Sequence, residues 1–122
     1  MILIVGGTGQ GKLQYVLKKT GLCPEDVAYN PADAAEKPIF FGLAQWLRTH
    51  PEETLERLLA QNPGVIILCD EVGCGVVPIA PSERAYRETV GRLCCRLAEQ
   101  AAGVERVFCG LAMCLKGEKF WN

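Results

Sequence analysis

The sequence predicts an α/β protein: an open, mostly parallel sheet with helices on both faces. Two apolar, β-branched runs, residues 2–5 and 65–69, read as strands buried on both sides. A third run, residues 104–109, follows a long amphipathic stretch, so strands and helices alternate along the chain. The chain has 122 residues, of which 49% are hydrophobic and 22% charged, a composition that fills one core. We therefore expect a single domain over residues 1–122.

Each element has its own local reason. After the first strand, residues 6–11 form a glycine-rich turn, and Leu13, Val16 and Leu17 fall at the spacing of a short helix that stops at Gly21. Pro24, Pro31 and Pro38 break the next stretch, leaving room for a short strand at 27–29. Ile39, Phe40, Leu43 and Leu47 recur at helical spacing and predict a helix to Arg48. Thr49-His50-Pro51-Glu52 has the form of a capping box and predicts a further helix ending near Asn62-Pro63-Gly64. Asp70-Glu71 closes the strand at 65–69. Ser82 is the expected N-cap of a long helix to about Ala102, with Tyr86, Val90, Leu93, Cys94, Leu97 and Ala101 on one stripe. Arg84, Glu88, Arg92 and Arg96 lie on its other side. A last strand at 112–115 follows too closely for a helical crossover, so it should run antiparallel.

Composition narrows the function classes. Thirteen Lys and Arg against fourteen Asp and Glu give a net charge of −1, without the basic excess of a protein that grips nucleic-acid phosphates. No apolar run approaches the length of a membrane span, and the apolar N-terminus has neither a basic leader nor a small-residue cleavage site. A cytoplasmic protein is expected. The seven cysteines include no C-x-x-C pair, and several sit in apolar runs where a reduced thiol acts as a small hydrophobe. The equal spacings Cys69/Cys74 and Cys109/Cys114 would allow four thiolates to meet at a metal, although zinc and iron–sulfur sites favour tighter spacing. Reduced thiols without metal are the expectation.

The glycine cluster carries chemistry. Gly6-x-x-x-x-Gly11-Lys12 matches a phosphate-binding P-loop except at its last place, where Leu13 replaces Ser or Thr. In such a loop, backbone N–H groups converge on a phosphate, the following helix adds its positive end and the lysine neutralises charge. Gly6, Gly7, Thr8, Gly9, Gln10, Gly11, Lys12 and Leu13 are thus the expected nucleotide-binding residues, with Lys12 catalytic as well. The fold expected around them is P-loop NTPase-like. Asp70 and Glu71, at the end of a hydrophobic strand, stand where such enzymes hold a metal or orient a nucleophile. Asp70 is the expected Mg²⁺ ligand and Glu71 a catalytic acid.

A longer pattern lies in the second half. Asp70-Glu71-Val72-Gly73-Cys74-Gly75-Val76-Val77-Pro78, then Glu83-Arg84-x-Tyr86-Arg87-Glu88-x-Val90-Gly91-Arg92, resembles the adenosylcobinamide kinase/adenosylcobinamide-phosphate guanylyltransferase family of cobalamin biosynthesis. Cys109-Gly110 and the N-terminal loop also fit, and the likeness spans residues 1–20 and 64–117. The resemblance implies a P-loop fold, GTP or ATP with Mg²⁺, an adenosylcobinamide-type corrinoid substrate and a ring-like homo-oligomer. It also implies two reactions: phosphorylation of the corrinoid's aminopropanol hydroxyl, then transfer of GMP through a guanylylated histidine. By position Gly6 to Lys12 would be the triphosphate loop and Glu71 an acid beside it, while Arg87 and Arg92 match arginines of the helix motif.

The chain also departs from that pattern. The region before Val65 is shorter than in typical members, and the Arg-rich, His-containing segment that carries their nucleophile is not recognisable. The only histidine, His50, stands in Arg48-Thr49-His50-Pro51, which reads as a helix-capping region. A shortened member of the family with kinase activity, and weak or absent guanylyl transfer, is therefore expected. The alternative is a non-catalytic nucleotide-binding or regulatory module on the same fold.

Overall fold

The computed structural model describes residues 1–73, 77–117 and 121. Its strands are β1 (Ile2–Gly6), β2 (Val27–Ala28), β3 (Ile39–Phe41), β4 (Ile66–Asp70), β5 (Gly103–Phe108) and β6 (Leu111–Lys116). They form one sheet in the order β2-β3-β4-β1-β5-β6, parallel throughout except for β6, which pairs antiparallel with β5. The expected architecture and the antiparallel last strand are both present. The helices are α1 (Lys12–Thr20), α2 (Pro31–Ala34), α3 (Leu43–Thr49), α4 (Glu56–Gln61) and α5 (Pro81–Gln100).

Strand alternation divides the core in two. Leu3, Phe40 and Ile67 point to one face, where α3, α4 and α5 bury Leu43, Leu47, Leu58, Val90, Leu93 and Leu97. Their neighbours Ile4, Ile39 and Leu68 point to the other face and pack with Val107 and with Val16 of α1. Continuous apolar runs, rather than alternating ones, follow from this two-sided burial. The stripe read on α5 is the face that packs on the sheet.

Three helix expectations need correction, the smallest being the N-cap of α5, which is Ala80 rather than Ser82, because Pro81 already takes the first helical position. Residues 39–48 are not one helix: β3 ends at Phe41, and Gly42, in the left-handed region at φ 97°, turns the chain into α3. Ile39 and Phe40 are each fully buried but in opposite cores, a placement that only a strand allows. Nor does a helix begin at His50. That residue is the C-cap of α3, Pro51 follows it, and α4 begins only at Glu56. A short helix went unforeseen: α2 starts with Pro31 and is capped by Asn30, whose Oδ1 accepts from the Asp33 amide at 2.8 Å.

The topology also places the chemistry. β1 lies between β4 and β5, and Gly6 is in register with Asp70. The loop leaving β1 and the acid ending β4 therefore meet at the carboxyl edge of the sheet, beside the point where the strand order reverses. The crowding there is severe. A Cβ added at Gly6 would run into the carbonyl oxygen of Val107 on β5, while one at Gly64 would meet open space. Gly6→Ala should therefore lower stability by about 1–3 kcal/mol, and Gly64→Ala should stay within about 0.5 kcal/mol of wild type. Urea unfolding of the two variants checks the contrast.

Candidate functional site

The loop between β1 and α1 is shaped by glycines at two positions of positive φ, Gly9 (75°) and Gly11 (92°), the second serving as N-cap of α1. Among the described residues, the backbone N–H groups of Thr8, Gly9, Gly11, Lys12 and Leu13 have no acceptor. Such orphan donors at a helix N-terminus are the elements of an anion site. They line a pocket of about 440 Å³ together with Phe41, Gln45 and Asp70.

Lys12 closes the loop from beneath. Its side chain is buried, and its Nζ donates to Gly6 O at 3.0 Å and Gly7 O at 2.9 Å and lies 2.6 Å from Asp70 Oδ1. A buried ammonium needs this full set of partners, because each unmatched donor would keep its desolvation cost. The other carboxylate oxygen of Asp70, Oδ2, accepts from Thr8 Oγ1 at 3.1 Å and Gln45 Nε2 at 3.2 Å. Three elements, the loop, β4 and the first turn of α3, thus converge on one carboxylate. Gln45 was not singled out from the sequence, since reading residues 39–48 as one helix concealed the strand end and the turn that deliver it.

Gln10 ties the loop to the other side of the sheet. Its backbone oxygen accepts from the Gly110 amide and its Oε1 from the Cys109 amide, both at 2.8 Å. The β5–β6 turn that it holds has Cys109 at φ 52° and Gly110 at φ 74°. Leu13 packs against the core between α1 and the sheet and also lines the pocket, so a hydrocarbon stands where a P-loop usually offers a hydroxyl.

Glu71 points elsewhere. Its amide donates to Gly6 O at 2.9 Å, while its carboxylate takes a two-pronged bond from Arg106 Nε (2.9 Å) and Nη2 (3.1 Å). Arg87 donates to the Gly73 carbonyl, anchoring the strand-end loop to α5, and Arg92 makes an exposed pair with Glu88 at 3.2 Å. Cys74, Gly75 and Val76 of the strand-end motif lie outside the described residues. His50, exposed at the end of α3, stacks on Trp46 with ring centroids 3.7 Å apart. Its Nδ1 lies 3.1 Å from Trp46 O and 2.9 Å from Thr49 Oγ1. Gln45 in the first turn of α3 reaches Asp70, whereas His50 caps its other end about 7.5 Å further along the axis.

The thiols are dispersed. Cys69 on β4 lies 3.5 Å from Cys94 on α5, Cys109 is in the β5–β6 turn, and Cys114 is exposed on β6. Contact with Cys94, followed by burial, pushes the Cys69 thiol well above its ordinary pKa. Among the described residues no three His, Cys, Asp or Glu side chains group as metal ligands, and no helix is long and apolar enough to cross a membrane.

A parallel sheet whose central strand feeds a glycine loop, with the loop's lysine on the acid of the neighbouring strand, has a P-loop NTPase-like fold. Comparison with known proteins carries this further. The family model described as cobinamide kinase / cobinamide phosphate guanyltransferase matches residues 33–115, and the chain belongs to that family. Over 67 residues it is 39% identical to the bifunctional adenosylcobalamin biosynthesis protein CobP of Pseudomonas aeruginosa. The aligned part covers 54% of this chain and 39% of that relative. The matched family segment includes Gln45, His50, Asp70, Glu71 and Arg106, and the glycine loop precedes it.

The Lys12–Asp70 pair should behave as a buried ion pair. Asp70→Asn leaves the ammonium with neutral partners and should cost about 3–5 kcal/mol. Adding Lys12→Met should recover part of that loss, since no uncompensated charge then remains. Chemical denaturation of the single and double variants measures the recovery.

Proposed function

We propose that this chain binds a nucleoside triphosphate, GTP or ATP, with Mg²⁺ and phosphorylates an adenosylcobinamide-type corrinoid in the cytoplasm. The observation that carries the proposal is the row of unpartnered amides at Thr8, Gly9, Gly11, Lys12 and Leu13, above a lysine held in place by an acid. Membership in the family supports the substrate class.

The residues do separable work. The amides bind β- and γ-phosphate oxygens, and the helix end adds its partial positive charge. Lys12 already donates to two carbonyls and a carboxylate, so engaging phosphate means exchanging one of these bonds. Asp70 is the residue best placed to give up its bond, because phosphate can replace its negative charge beside the ammonium. Asp70 and the Thr8 hydroxyl then offer oxygen ligands to Mg²⁺, an ion that takes one or two carboxylates and fills its shell with water and phosphate oxygens. When bound, that ion neutralises charge between the β- and γ-phosphates. The absence of a hydroxyl at Leu13 puts the protein's share of the ligation on Asp70 and Thr8. Glu71, with both carboxylate oxygens held by Arg106 and outside the lining of the loop pocket, is given no step in this transfer.

Guanylyl transfer through a covalent intermediate needs a nucleophile in line with the α-phosphate. His50 is committed to capping α3 and stacking on Trp46, at the end of the helix remote from Asp70. The proposed activity is therefore the kinase step without guanylylation of His50.

Calorimetry with Mg²⁺ and GTP or ATP should show binding that Lys12→Ala weakens by about 1.5–3 kcal/mol. With γ-labelled nucleotide, label should pass to adenosylcobinamide. With α-labelled GTP, no protein adduct should survive denaturation, in wild type or in His50→Ala. A stoichiometric adduct lost on that substitution would restore the two-step activity. Nucleotide binding without any transfer would identify a non-catalytic module.

A further inference from the structure

Cys69 and Cys94 are the two cysteines among the described residues that the core shelters, since Cys23, Cys95, Cys109 and Cys114 are exposed. Cys69, at 1% exposure, is the next-to-last residue of β4 and belongs to the core under α5. Cys94, on α5, is half-buried against that same core. The two are 25 residues apart in sequence, yet their sulfurs lie 3.5 Å apart, in van der Waals contact. The Cys69 sulfur also lies 3.6 Å from the backbone oxygen of Asp70. The site described above uses neither thiol.

A disulfide needs its sulfurs at about 2.05 Å, so this pair would close by about 1.5 Å. Side-chain rotation supplies part of that and the backbone the rest. α5 cannot move freely, because Val90, Leu93 and Leu97 are buried beneath it in a close-packed core. β4 has its free end beside the sulfur, since Asp70 follows Cys69 and ends the strand. Successive side chains of a strand point to opposite faces. A pull on Cys69 toward α5 therefore draws Asp70 away from the Lys12 Nζ that it holds at 2.6 Å. Cys94 carries the accessible sulfur, and contact with Cys69 lowers its pKa, which favours its thiolate as the attacking group.

We propose that Cys69 and Cys94 are the site of a reversible intramolecular disulfide, formed by exchange with a low-molecular-weight disulfide such as oxidised glutathione, and that this bond loosens the Lys12–Asp70 contact. The Cys94 thiolate attacks one sulfur of glutathione disulfide, giving a mixed disulfide on Cys94 and releasing one glutathione thiolate. The Cys69 thiol then gives up its proton to solvent, its sulfur attacks the Cys94 sulfur, and the second glutathione leaves as a thiolate. Two protein thiols are thereby oxidised by two electrons, and one glutathione disulfide is reduced to two glutathiones. A reducing compartment keeps the pair open, so the bond forms when the glutathione pool becomes oxidised. The bond is independent of the proposed function, whereas its effect on phosphate binding rests on the phosphate-loop reading above.

The test incubates the folded wild-type protein with oxidised glutathione, blocks the remaining thiols and maps the linkages by peptide mass spectrometry. We expect a Cys69–Cys94 cross-link, about 2 Da lighter than the two free peptides and reversed by dithiothreitol. This readout needs no variant. Cys69→Ala should stall with glutathione retained on Cys94, and Cys95→Ser should keep the cross-link. Wild-type protein in which Cys69 and Cys94 both stay free, or in which Cys94 joins another cysteine, would overturn the disulfide. Calorimetry with inorganic tripolyphosphate and Mg²⁺ then reads its effect on the loop. Cross-linked protein should bind at least about threefold more weakly than Cys94→Ser treated in the same way, as for sites coupled through a shared backbone shift. That control carries the modification of the exposed thiols alone, Cys109 included. Equal affinities would overturn the loosening of Lys12–Asp70 and leave the phosphate loop standing. Failure of reduced wild type to bind tripolyphosphate would overturn the phosphate loop and the effect on it, with the disulfide decided by the peptide map.

Discussion

The site depends on one buried contact, the Lys12 ammonium held between the first two carbonyls of its own loop and the Asp70 carboxylate. Sheet topology makes it possible, because parallel pairing of β1 with β4 brings Gly6 level with Asp70. Once Asp70 is fixed by Lys12, its second oxygen becomes the point to which Thr8 and Gln45 are drawn. The carbonyls at the start of the loop are spent on the lysine, while the amides along it face the pocket without acceptors. The contact therefore ties the loop that the proposed anion site uses to the sheet edge.

Around this centre the two faces of the sheet serve different purposes. The face covered by α3, α4 and α5 holds most of the large buried side chains and provides rigidity. The other face carries a smaller buried cluster, covered by α1 with Leu22 and Trp121 among the residues packed against it, and at its β5–β6 side Glu105 is buried. The Gln10 clamp links the glycine loop to the hairpin and holds the two in fixed relation. His50 is occupied at the far end of α3, against Trp46.

Much of this was legible in the sequence. Buried strands announce themselves by continuous apolar runs, and the Gly6-to-Lys12 pattern after the first of them located the loop. The strand-end acid was also legible, as was the antiparallel turn after β5, set by too short a connection for a crossover. Residues 39–48 misled because Ile39, Phe40, Leu43 and Leu47 fit a helical period by accident of a strand and a helix joined through Gly42. That error hid Gln45. Glu105 and Arg106 were invisible for another reason: a charged pair within a strand reads as solvent-facing until the neighbouring elements are placed. His50 misled because Thr-x-x-Glu resembles a helix start, whereas Pro51 follows the end of one.

The central claim is that the amides between β1 and α1 form an anion site organised by Lys12. Backbone-amide NMR with inorganic tripolyphosphate and Mg²⁺ tests it most directly, because it reads individual N–H groups without relying on turnover. The account predicts saturable shifts concentrated at Thr8, Gly9, Gly11, Lys12 and Leu13, abolished or strongly weakened in Lys12→Ala. Tripolyphosphate that leaves these amides unmoved, or that shifts a different surface, would contradict it.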